Sequence, residues 1–247
     1  MNQTRMQVTG VPVDNIDMDG VVDHAQKMVA GNQQCTIFAM NPEKAVASLD
    51  DPELYDCLNS AGLLIADGIG IILASRIHGV PFKSRVPGSE LMPRLCEMAA
   101  ANSYPIFLFG AKEETNKLAA EKLVQTYPGL IIAGRQNGYV DESGMPDLIN
   151  TINESGAKLL FVALGSPKQE YWMNQYKAQL DVLILQGVGG TFDVISGTVK
   201  RAPALWRFFH LEWLYRLLSQ PRRFIRQSRL PAYVWLVIKS RLGLLKA

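Results

Sequence analysis

Six short runs of the chain are apolar almost from end to end: TIFAM (36–40), LLIA (63–66), PIFLFG (105–110), LIIAG (130–134), KLLFVALG (158–165) and DVLILQGVGG (181–190). Each has the length of a strand, and none alternates apolar with polar residues. A strand with one wet face alternates, whereas a strand covered on both faces reads as continuous Val, Ile, Leu and Phe. Between the runs lie longer segments with helical spacing, such as PGSELMPRLCEMAAA (87–101) and EETNKLAAEKLVQTY (113–127). This alternation predicts an α/β fold: a Rossmann-like, mostly parallel sheet with helices on both faces.

Ligands of such sheets bind outside the carboxyl ends of the strands. The residues there are Asn41, Asp67, Gly110, then Gln136 to Tyr139, Gly165 to Gln169, and Gly187 to Asp193. Asp67, in LLIADGIGIILA, stands between a buried strand and a helix. As an N-cap it would accept backbone N–H bonds at the helix start. As a strand-end carboxylate it would serve as a general base, and the two roles are compatible. DGIG is half of a dinucleotide fingerprint, but Leu73 follows where the third glycine belongs, which disfavours an NAD-linked oxidoreductase. GVGGTFDVISG (187–197) lacks a P-loop lysine. Its glycines let backbone approach a phosphate or nucleoside closely, with Thr191 and Asp193 as polar contacts. GSPKQEYW (165–172) and RVPGSEL (85–91) aim helix starts, and Arg85, at an anion.

Composition narrows the classes further. A chain of 247 residues, 48% hydrophobic and 19% charged, suffices for one α/β domain with an appendage. Cys35, Cys57 and Cys96 lack CxxC spacing and suit a reducing compartment as core filler. His24, His78 and His210 are scattered and suggest no metal cluster or triad. Asp17 and Asp19 have DxD spacing, but they lie outside any core strand and read as a loop leading into a helix rather than a metal site. The opening MNQTRMQVTG has no apolar h-region, so no signal peptide is expected. No apolar run approaches the ~18 residues of a membrane span.

The charge is uneven. Residues 195–247 hold eleven Lys/Arg against one acid, Glu212, while the rest holds 14 against 22. The expected division is a catalytic core over 1–199 and a basic, aromatic-rich helical appendage over 200–247. Trp206, Phe208, Phe209, Trp213, Tyr215, Phe224, Tyr233 and Trp235 interleave with the basic residues, as in a helix lying on an anionic membrane. No nucleic-acid module is visible, so nucleic acid is not an expected partner. Arginines also suit bidentate capture of a diphosphate, and the apolar surface of the appendage suits self-association into a homo-oligomer.

Taken in order, NPEK after the first strand, ADGIG, RVPGSEL, GSPKQE, GVGGTFDVISGTVKRAP and LEWLYRLLSQPRRFIRQSR resemble the WecG/TagA/CpsF glycosyltransferases (glycosyltransferase family 26). The resemblance implies inverting transfer of a sugar from UDP, with no metal or other cofactor, to a polyprenyl-diphosphate-linked GlcNAc. It places the enzyme in the cytoplasm, peripheral on the inner face of a bacterial membrane, in surface-polysaccharide synthesis. Asp67 matches the family's proposed base. Asn41, Arg85 and Gln169 match its sugar site. Gly138, Tyr139, Gly189, Gly190, Thr191 and Asp193 are the implied nucleotide set, and Arg216, Arg223 and Arg226 match the appendage that closes over the diphosphate. N-acetylmannosaminuronate is the favoured sugar, because Arg85 and Lys168 would meet its carboxylate and the tail is similar to that of the enterobacterial members. The alternatives are a glucosyltransferase of the same family and a non-catalytic nucleotide- or nucleic-acid-binding protein. Some members carry Thr two residues before the asparagine; Ala39 stands there in this chain.

Overall fold

The computed structural model describes residues 5–8, 10–203, 205–206, 212–219, 229–242 and 244. A hairpin of β1 (Arg5–Val8) and β2 (Val11–Asp14) leads to α1 (Met18–Ala30), β3 (Cys35–Met40), α2 (Pro42–Ala47), α3 (Pro52–Asn59), β4 (Leu63–Ala66), α4 (Ile69–Ile77) and α5 (Gly88–Ala101). Then come β5 (Ile106–Gly110), α6 (Glu113–Thr126), β6 (Ile132–Gln136), α7 (Met145–Glu154), β7 (Leu159–Ala163), α8 (Lys168–Tyr176), β8 (Ile184–Gly187) and α9 (Thr191–Ser196). Helices Glu212–Ser219 and Leu230–Arg241 follow.

Six strands form one parallel sheet in the order β4-β3-β8-β7-β5-β6. Successive side chains of a strand point to opposite faces. Phe38, Met40, Phe107, Phe109, Leu160 and Val162 therefore meet one helical layer, with α2, α3, α4, α7, α8 and the Leu230–Arg241 helix. Ile37, Leu108 and Phe161 meet α1, α5, α6 and α9 on the other side. Five of the apolar runs are thus strands with two dry faces, whereas β6 is half-buried along its length. All three cysteines are buried and unpaired. Burial pushes their thiols up, Cys57 to about 11 and Cys35 to about 12, as befits core packing.

The two edges of the sheet are handled differently. Along β4 the Leu64 N–H donates to Asp14 Oδ2 at 2.7 Å, and Asp14 is held in turn by Arg5 at 3.0 Å. A hairpin carboxylate thus satisfies an edge strand that lacks a further partner. At the other edge, β6 runs 132–136, two residues later than the apolar run LIIAG implies. Leu130 is buried before the strand begins. The pairing then slips between Ile106 and Phe107, so that Phe107 faces Gly134. The apolarity at 130–131 belongs to the segment leading into the strand, where Ile131 O already accepts from Ile106 N at 2.9 Å, and Gln136 closes the strand instead of following it.

After β3 the chain turns through α2 and α3 toward β4. After β8 it enters α9, which packs on α6 and α5. Neighbouring strands β3 and β8 therefore part at their carboxyl ends, and that parting opens the cleft.

Candidate active site

A cavity of about 670 Å³ lies at the parting of β3 and β8. Its polar end is lined by Asn41, Asp67, Arg85 and Gln169, with the Gly187–Thr191 turn and Ser89 of α5. Four separated motifs meet there because they interlock. Pro42, the second residue of NPEK, packs on the glycines of ADGIG: a Cβ on Gly68 or on Gly70 would lie 2.6 Å from the Pro42 ring. The Asp67 N–H donates to Met40 O at 2.9 Å, locking the two strand ends together. Asn41 caps α2, its Oδ1 accepting from Lys44 N at 2.9 Å. The N-cap of α4 is Gly68. Asp67 stands one residue before the cap position expected of it, half-buried on the cavity wall.

Gln169 is fixed with equal care. Its Oε1 accepts from Gly189 N at 2.9 Å, and its Nε2 donates to Glu170 Oε1 at 3.1 Å. A Cβ on Gly187 would lie 2.6 Å from that nitrogen, so glycine is required for the amide to fit. Beneath it lies a buried ion pair, Lys44 Nζ to Glu170 Oε1 at 2.8 Å, with Lys44 also donating to Ala39 O at 2.6 Å. Burial pushes the Glu170 carboxyl up. The Lys44 charge, with hydrogen bonds from Lys44 and Gln169, outweighs that and holds it below the ordinary range. Lys44 and Glu170 support the site from within the NPEK and GSPKQE stretches, although neither type of residue in a helix signals burial. Ala39 lies on the cavity floor.

Not every candidate lines the cavity. Gly189, Gly190 and Thr191 do; Gly138, Tyr139 and Asp193 do not. Gly138 packs beside Leu164 and Gly110, further along the same sheet edge, and Tyr139 is 76% exposed. Asp193 is half-buried in α9. Lys168 is exposed and lies outside the lining. Arg216 falls on the Glu212–Ser219 helix, with its side chain outside the described residues, as are Arg223 and Arg226 entirely. Arg85 lines the cavity, and among the described residues none forms an ion pair with it. Asp17 caps α1 through Gly20 N at 2.9 Å, and Asp19 pairs with Arg94 at 2.9 Å.

A parallel α/β sheet with a strand-end carboxylate, fixed amides and an arginine around one cavity has the form of a group-transfer enzyme. The glycosyl transferase WecG/TagA/CpsF family profile matches residues 6–247. An N-acetylglucosaminyldiphosphoundecaprenol N-acetyl-β-D-mannosaminyltransferase of Bacillus spizizenii strain W23 is 36% identical over 208 residues, covering 84% of this chain and 80% of its own. A transferase of the same description from Bacillus subtilis strain 168 is 33% identical over 234 residues, covering 94% and 91%. The chain belongs to the WecG/TagA/CpsF family, and it is a glycosyltransferase.

Proposed function

We propose that this enzyme moves an N-acetylmannosamine-type sugar from UDP onto GlcNAc carried by a polyprenyl diphosphate. The observation that carries the reading is the meeting of Asn41, Asp67, Arg85 and Gln169 in one cavity whose far arm is apolar. The relatives' names supply the acceptor and the sugar. Asp67 takes the proton from the acceptor hydroxyl as its oxygen attacks the anomeric carbon, in one inverting displacement. Base assistance of this kind contributes roughly 10²–10⁴-fold. The departing diphosphate gains charge, which Arg85, the first turn of α5 and the appendage arginines Arg216, Arg223 and Arg226 would meet. The nucleoside end would extend toward Gly138, Tyr139 and Asp193.

In this reading residues 200–247 are an appendage that holds the enzyme on an anionic inner-membrane surface and closes the site there. Among the described residues no helix is long and apolar enough to cross a membrane. Of the two residues expected to meet the carboxylate of N-acetylmannosaminuronate, Arg85 lines the cavity and Lys168 lies outside it. The deciding assay offers UDP-N-acetylmannosamine, its uronate and UDP-glucose to a lipid-diphosphate GlcNAc acceptor, with and without EDTA. We expect turnover of a mannosamine-type donor that EDTA leaves intact, and a KM for the uronate that rises in Arg85→Met. Turnover of UDP-glucose alone would refute the sugar assignment. Activity lost to EDTA and restored by Mg²⁺ would refute the metal-free one.

A further inference from the structure

The cavity does not end at the reacting groups. It continues between α4, which contributes Ile69, Leu73 and Ile77, and the Leu230–Arg241 helix, which contributes Leu230, Val234 and Ile238. Each set recurs every four residues, so each is one stripe along its helix. From first to last a stripe runs about 12 Å at 1.5 Å per residue. The helices are joined at the base of the trough. Tyr233 Oη donates to Gly70 O at 3.2 Å, and Val237 is buried below. Above that seam Leu73, Ile77, Val234 and Ile238 are 49%, 50%, 57% and 44% exposed. Single exposed apolar residues are ordinary, but two facing stripes opening from an active site are not.

We propose that this trough holds the first isoprene units of the lipid that carries the acceptor diphosphate. The proposal rests on the lipid-linked-acceptor reading given above. Continuity selects the occupant. The trough and the Asp67 wall are one cavity, so a molecule reacting at one end has its remainder in the other. Chemistry selects it too. The residues these two helices give to the cavity are apolar, apart from the Tyr233 hydroxyl, which is spent on Gly70. A peptide laid there would bring N–H and C=O groups needing partners. A branched hydrocarbon chain brings none and gains from area alone.

The probe is farnesyl diphosphate, compared with inorganic diphosphate by titration calorimetry on the full chain. We expect the farnesyl compound to bind at least about tenfold tighter, the worth of a few buried methylenes. Leu73→Gln with Val234→Gln should remove most of that ratio. Ile131→Gln, an equally exposed site on the far edge of the sheet, should keep it. Circular dichroism shows whether each variant is folded. Equal affinity for the two probes, or an undiminished ratio in the double variant, would overturn the proposal. A double variant that loses binding to anionic vesicles yet keeps its farnesyl preference would assign the trough to bilayer lipid. One that turns a dimer into a monomer and keeps the preference would assign it to a second copy. Both results overturn the proposal. No sugar donor is present, so a farnesyl preference in a protein that transfers no sugar would refute the functional reading and leave the trough standing.

Discussion

The two ends of the cavity are built on opposite plans. At the polar end, side chains are fastened by backbone: Asn41 through Lys44 N, Gln169 through Gly189 N, both at 2.9 Å. At the apolar end, side chains stand on two helices and half of their surface is bare. Proton transfer depends on distance and angle, so its groups must be held. Apolar contact has no preferred direction and scales with area, so its groups need only be present. The contrast teaches that one cavity contains a rigid reacting half and a permissive binding half.

The largest effect should come from the rigid half. Asp67→Asn keeps the shape of the side chain and removes the base. Transfer should fall by roughly 10²–10⁴-fold, with melting temperature and UDP-sugar affinity close to the parent. A wild-type turnover number would break the comparison, because the polar end would then be a binding surface like its neighbour.

That half was also the more legible from sequence. Asn41, Asp67, Arg85 and Gln169 were found because backbone turns leave glycine and proline marks next to the residues they position, and strand ends converge by topology. The trough left a fainter trace. Ile69, Leu73, Ile77 and Leu230, Val234, Ile238 lie 153 or more residues apart along the chain, and nothing local says that their stripes face each other. The ion pair beneath the site was hidden for another reason. Lys44 and Glu170 look like surface charges in helices, and only the pairing of the two side chains in the interior reveals that both are buried. The sheet was legible in five of its six runs and displaced at β6, where the pairing with β5 slips between Ile106 and Phe107.

A second effect tests how the rigid half is held. Glu170→Gln leaves the Lys44 ammonium buried without its counter-charge. Losing one partner of such a pair costs roughly 3–5 kcal/mol, to be read as a lowered denaturation midpoint at neutral pH. The pH dependence has a definite sign. The Glu170 carboxyl is held below its ordinary value of 4.5 in the folded state. Its contribution is therefore fully present above that value and lost as pH falls through the folded pKa. The variant should lack this part of the acid limb. Adding Lys44→Met to it should restore part of the loss, because the uncompensated charge goes with the lysine. If Glu170→Gln is as stable as the parent, the polar end is not supported from beneath, and the contrast in rigidity loses its basis.

The smallest effect bears on the seam between the halves. Tyr233→Phe deletes the hydrogen bond to Gly70 O and keeps the ring in the core, at a cost of about 0.5–1.5 kcal/mol. The informative measurement is where that cost appears. If the Leu230–Arg241 helix is docked onto a self-sufficient core, amide exchange should quicken along this helix and leave β7 and β8 as protected as before. That outcome fits a division near residue 200, with the trough's outer wall able to move while the reacting groups stay fixed. The helix also buries Leu236 and Val237 on the same face, which argues for a stronger union. If exchange quickens equally in helix and sheet, the helix unfolds only with the whole domain, and the permissive half of the cavity is as firmly placed as the rigid one.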